Sequence, residues 1–67
     1  MAWRQLRAFP AEKLNRIKGW EQRGLTYWQN RVRVCNDRVA KADSGTQLGR
    51  AIADRDIALE AVRQLTA

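Results

Sequence analysis

The chain has no histidine, one cysteine (Cys35), one proline (Pro10) and only four glycines. Without histidine, the commonest general base near neutral pH is missing, and with it serine–histidine and cysteine–histidine catalysis. Lacking imidazoles and a second thiol, the chain cannot assemble a usual zinc site. One cysteine excludes an internal disulfide and favours a reducing, cytoplasmic setting. No apolar run approaches the ~20 residues needed to cross a bilayer. Residues 1–6 also lack the continuous apolar stretch of a secretory signal. Gly19 and Gly24 have neither the lysine, the spacing nor the preceding strand of a phosphate loop. The expectation is a non-enzymatic protein with no cofactor and no metal.

What is present is unevenly distributed. Residues 1–33 hold eight Lys/Arg against two acids and all the aromatics: Trp3, Phe9, Trp20, Tyr27 and Trp28. Residues 34–67 hold five basic and five acidic residues, no aromatics and many alanines. The whole net charge of +6 therefore belongs to the first half, which reads as the binding half, with the second as scaffold. A basic balance of this size favours anionic partners. Sixty-seven residues make one small domain, in which about 60% of the unfolded surface is buried. Such a domain usually needs help from a second subunit or a partner.

Helix formers dominate, and no segment keeps strand alternation. Leu14, Ile17, Glu21, Gly24 or Leu25, Trp28, Val32, Cys35, Val39 and Ala42 fall on one helical stripe. The spacing predicts one long helix over about 10–43, bent or frayed around Gly19 and Gly24, with Pro10 in its first turn. A rival reading starts a fresh helix near Gly24, with Thr26-x-x-Gln29 as its capping box. Asp43-Ser44-Gly45-Thr46 is the clear stop: Gly45 can close the first helix in the left-handed region, and Ser44 with Gln47, or Thr46 itself, can cap the next. The second helix is expected over about 46–66, with a stripe of Leu48, Ala51/Ile52, Arg55, Ala58/Leu59, Val62 and Leu65/Thr66. Ile57 falls on the opposite side, as a single exposed isoleucine. The fold expected is an all-α antiparallel helical hairpin that self-associates, as a homodimer, into a helical bundle.

A continuous first helix would be about 50 Å long against about 30 Å for the second. Its first ten residues would then project as an overhang carrying Leu14, Ile17 and Trp20. The segment 1–9, with Trp3 and Phe9, either folds back over it or is bound by a partner. Uncovered apolar surface of this kind marks an interaction site. The candidate protein-interface residues are therefore Trp3, Phe9, Leu14, Ile17, Trp20, Trp28 and Arg55. Arg55 enters as a charge on an apolar stripe, either paired with Glu21 of a second copy or with its head in water. Cys35, mid-stripe, reads as a buried structural thiol.

A second row runs beside the first: Arg16, Trp20, Arg23, Tyr27, Arg31, Val34, Arg38 and Lys41, again in steps of three and four. Arginines interleaved with rings suit nucleic acid, guanidinium groups meeting phosphates and rings stacking on bases. An acidic protein groove fits the same row, and so does a plain solvated face. Arg16, Trp20, Arg23, Tyr27, Arg31, Arg38 and Lys41 are the candidate anionic-partner residues.

Three fragments resemble the small two-helix protein near the peptide exit tunnel of the large ribosomal subunit. They are Leu6-Arg7-x-x-x-x-Glu12-x-Leu14, Ser44-Gly45-Thr46-Gln47-Leu48 and Arg55-Asp56-Ile57-Ala58. The gap between the last two is several residues short of that family's pattern. Three tryptophans are foreign to it, and its basic run after the last fragment is missing. We assign no family on these fragments. What the resemblance implies is binding to ribosomal RNA, with Arg31, Arg33 and Arg50 as the residues to test.

The functional expectation is a small binding module whose basic, aromatic half engages an anionic partner, foremost nucleic acid. One alternative is a protein adaptor, inhibitor or assembly factor, of the size common in phages and mobile elements, using the Trp-rich overhang. Another is membrane-surface binding by residues 1–20, which mix Trp, Leu and basic residues.

Overall fold

The computed structural model describes residues 10–67. Trp3, Phe9 and the rest of segment 1–9 lie outside the described residues. The fold is all-α. Helix α1 covers residues 10–16, a 3₁₀ turn spans Glu21–Arg23, and α2 (Gly24–Lys41) and α3 (Gly45–Thr66) pack together as a helical hairpin.

The long first arm is broken. Between α1 and α2 the chain tightens into successive i→i+3 bonds. Ile17 N–H donates to Leu14 O (3.0 Å), Trp20 N–H to Ile17 O (3.2 Å) and Gln22 N–H to Gly19 O (3.1 Å). Gly19 at φ +74° and Gly24 at φ +86° have the only positive φ values among the described residues. Gly24, with ψ 163°, sits in a region that essentially only glycine occupies. So the helical phase that survives Gly24 in sequence does not survive it in the backbone. The fresh start is real, but its N-terminus lies at Gly24 and has no side-chain cap. The Thr26-x-x-Gln29 box is not what begins α2.

The break carries α1 onto the hairpin. Leu14 (0% exposed), Trp20 (8%) and Trp28 (3%) close one core with Ala58 and Ala61 of α3. Ile17, Val32, Ile57, Val62 and Leu65 pack around it. The expected overhang is therefore absent: its apolar residues share one core with Trp28 of α2 and Ala58 and Ala61 of α3, and the longest dimension is 33 Å. Ile57, expected as a lone exposed residue, is half-buried on this core. Each large side chain removed from water here contributes roughly 1.5–3 kcal/mol. Cys35 is fully buried in α2, and Ala51 is buried in α3.

The α2–α3 turn follows different chemistry. Ala42 (φ −63°, ψ 132°) and Ser44 (φ −142°, ψ 161°) are extended. Gly45 has no positive φ and belongs to α3, so a left-handed glycine does not close α2. Ser44 Oγ accepts from Gln47 N–H (3.2 Å), and Gln47 Oε1 accepts from Asp43 N–H (3.0 Å). The first of these bonds ties off a donor that the first turn of α3 leaves without a partner, and the second fixes the residue before the cap.

Candidate nucleic-acid interface

From α2, Tyr27, Arg31, Val34, Arg38 and Lys41 keep their three-and-four spacing and share one face. The hairpin sets this row against Gln47, Arg50, Asp54 and Ile57 of α3. Between them lie two concavities. The larger, of about 390 Å³, is lined by Asp37, Arg38, Lys41, Ala42, Gln47, Arg50, Ala51 and Asp54. A smaller one, of about 100 Å³, is lined by Ile17, Arg23, Tyr27, Trp28, Arg31, Asp54 and Ile57. Asp54 lines both, so the two are neighbours along one face of the hairpin.

At the α1 end, Arg23 and Tyr27 form a unit. Arg23 Nη1 donates to Tyr27 Oη (3.0 Å), and the guanidinium carbon lies 5.2 Å from the Tyr27 ring centroid and 5.9 Å from that of Trp28. Tyr27 meets Trp28 edge to face at 4.9 Å and 88°, a geometry in which ring edge and ring face attract. Trp28 is held in turn by its indole Nε1–H, which donates to the carbonyl oxygen of Trp20 at 2.8 Å. One buried tryptophan thus fixes the break and props an exposed tyrosine at the groove mouth; Tyr27 is 37% exposed.

The charges at the groove differ in their partners. Lys41 pairs with Asp37 at 3.1 Å. Among the described residues, no carboxylate lies within ion-pair distance of Arg31, Arg38 or Arg50. Asp54 is the acid common to both concavities. On the far end of α3, the Glu60 carboxylate accepts from Gln64 (2.9 Å) and from Arg63. Those bonds, first that of Gln64 and then those of Arg63, hold its carboxyl below the usual carboxylate range.

The structure separates residues that the sequence rows had put together. Arg23, Tyr27, Arg31, Arg38 and Lys41 line the groove. Trp20 does not: it is a core residue and offers no ring to a ligand. Leu14 and Trp28 are likewise buried in the core, and Ile17 is half-buried against it. Arg16 is exposed at the end of α1, before the break and off the α2 row. Arg55 is half-buried on α3 and lies 3.6 Å from its neighbour Asp56, while Glu21 is exposed in the 3₁₀ turn. Arg50 and Asp54 were not part of the row, because only the pairing of α2 with α3 brings them to it. Arg50 had been reached through the ribosomal resemblance alone.

Among the described residues no helix is long and apolar enough to cross a membrane, and no group of His, Cys, Asp or Glu is arranged to hold a metal ion. Comparison with protein-family models, with curated proteins and with solved structures found no match to this chain.

Proposed function

We propose that this protein is a non-enzymatic nucleic-acid-binding module and that the α2–α3 groove is its binding face. The observation that carries the reading is the placement of Arg23, Arg31 and an exposed tyrosine on one concavity and of Arg38 and Arg50 on its neighbour along the same face. Guanidinium groups with no carboxylate partner are available to phosphates, and Arg pairs with phosphate in bidentate fashion. Tyr27, backed by Trp28 and Arg23, presents ring surface on which a base stacks, a contact worth about 1–3 kcal/mol. An acidic protein would meet the same charges, but the propped ring adds a contact that bases use and carboxylates do not.

Fluorescence anisotropy of a labelled oligonucleotide over a salt series tests the reading. If about four to six phosphates are neutralised, log affinity falls against log salt with a slope of about −4 to −5. Arg31→Ala and Arg38→Ala each flatten the slope by about one and weaken binding to all sequences alike. Tyr27→Ala lowers affinity without changing the slope, and Tyr27→Phe restores it. Salt-insensitive binding, or a slope untouched by both arginine changes, contradicts the proposal.

A further inference from the structure

The face of α3 that turns away from the groove carries a second pattern. Leu48, Ile52, Arg55, Leu59, Val62 and Thr66 follow one another in steps of four, three, four, three and four. That is the spacing of a coiled-coil seam. Val62 packs on the chain's own core, but the residues that α3 buries fully are Ala51, Ala58 and Ala61, beside the seam rather than on it. In the pairs Ala51/Ile52 and Ala58/Leu59, the alanine is buried and the larger residue lies at the rim. Leu48 remains 38% exposed and Leu59 44%. Arg55, in the middle of the seam, has an Nε atom that is shielded from water and has no acceptor.

We infer that this seam is a homodimer face, on which α3 of a second copy lies antiparallel. Its stretch from Leu48 to Leu59 is complementary to itself. Turned about a point midway between residues 53 and 54, it places Leu48 opposite Leu59 of the other copy and Ile52 opposite Arg55. This is the isologous pairing that a two-fold axis requires. Arg55 and Asp56 of both copies then fall within about 4 Å of the axis along the helix. Two arginines and two aspartates alternate there, and each guanidinium gains a second carboxylate beyond its own Asp56. Charge also favours this helix over the others: α3 holds Arg50, Arg55 and Arg63 against Asp54, Asp56 and Glu60, so two copies meet through a neutral element of a +6 chain. A nucleic acid finds no surplus positive charge there. The two grooves face outward, giving a bivalent particle.

Sedimentation velocity of the full chain over a concentration series tests the seam. The expected mass rises to twice 7.7 kDa. Leu59→Glu, at an exposed site, keeps the helical circular-dichroism signal and returns the mass to that of one chain. Arg55→Asp gathers four acids at the axis and Asp56→Arg gathers four arginines. Each raises the dimer dissociation constant by about tenfold or more, while the double exchange restores it. A single-chain mass at every concentration overturns the inference, whether the seam is bare or residues 1–9 occupy it. A dimer that survives Leu59→Glu, or a double exchange no better than the single changes, overturns it as well. Leu59→Glu leaves the groove intact, so nucleic-acid binding is judged separately.

Discussion

The two connections of this chain, residues 17–23 and 42–44, solve the same problem by opposite means. The first relies on backbone freedom and buried contacts. Two glycines take positive φ, no side chain caps α2, and the turn is held by Leu14, Trp20 and Trp28 packing on α3. The second relies on local side chains. Neither positive φ nor a buried residue is involved, and the exposed pair Ser44 and Gln47 supplies the hydrogen bonds. A connection of the first kind is only as stable as the core it closes. One of the second kind is nearly independent of that core.

Trp28→Ala breaks this contrast most severely. It empties a site that is 3% exposed and leaves the Trp20 carbonyl without its indole donor. Large-to-small changes of an aromatic cost about 3–5 kcal/mol. For a domain of this size that approaches the whole stability, at roughly 0.05–0.15 kcal/mol per residue. Chemical denaturation should show a protein at the edge of folding. If α1 releases first, the first connection melts while the second persists.

Gly24→Ala comes next. A Cβ there meets nothing within 4 Å, so the cost is purely one of backbone conformation, about 1–3 kcal/mol. Gly49→Ala gives the control, since its Cβ also meets nothing and its φ is ordinary. That change should stabilise by about 0.4–1 kcal/mol. Equal effects from the two alanines, read from urea midpoints, would mean that the first connection does not depend on a glycine conformation.

Ser44→Ala gives the smallest loss, about 1 kcal/mol from one cap. Its destabilisation should add to that of Trp28→Phe without coupling, because the two connections share no contacts. Coupling in a double-mutant cycle would merge the two into one cooperative element.

The same contrast explains what the sequence could reveal. Ser44 and Gln47 cap through neighbours three residues apart, so their connection is readable locally, though the role given to Gly45 was not the one it plays. Gly19 and Gly24 mark where the helix can break, but nothing local says that it does or which way the chain then turns. The apolar phase runs on through Gly24, and the bond from the Trp28 indole to the Trp20 carbonyl links residues eight apart. Helical phase therefore favoured an overhang where the backbone folds back. On α3, both members of Ala51/Ile52 and Ala58/Leu59 fit the stripe. Only the close approach to α2 selects the alanines. For the site, the spacing of Tyr27, Arg31, Arg38 and Lys41 was legible because α2 is one regular helix. The loss of Trp20 and Leu14 to the core, and the arrival of Arg50 and Asp54, depend on contacts between elements that no single helix encodes.

The first arm folds back and takes Trp20 and Trp28 into the core, leaving Tyr27 with Arg23, Arg31, Arg38 and Lys41 at the groove. Hydrogen exchange of the tryptophan indole N–H groups, followed by NMR with Trp28→Phe for assignment, tests this fold-back most directly. The Trp28 indole proton is expected to exchange only as the fold opens, with protection near that of the most stable amides of α2 and α3. Exchange of that proton as fast as in a free indole would contradict the fold-back and leave α1 undocked.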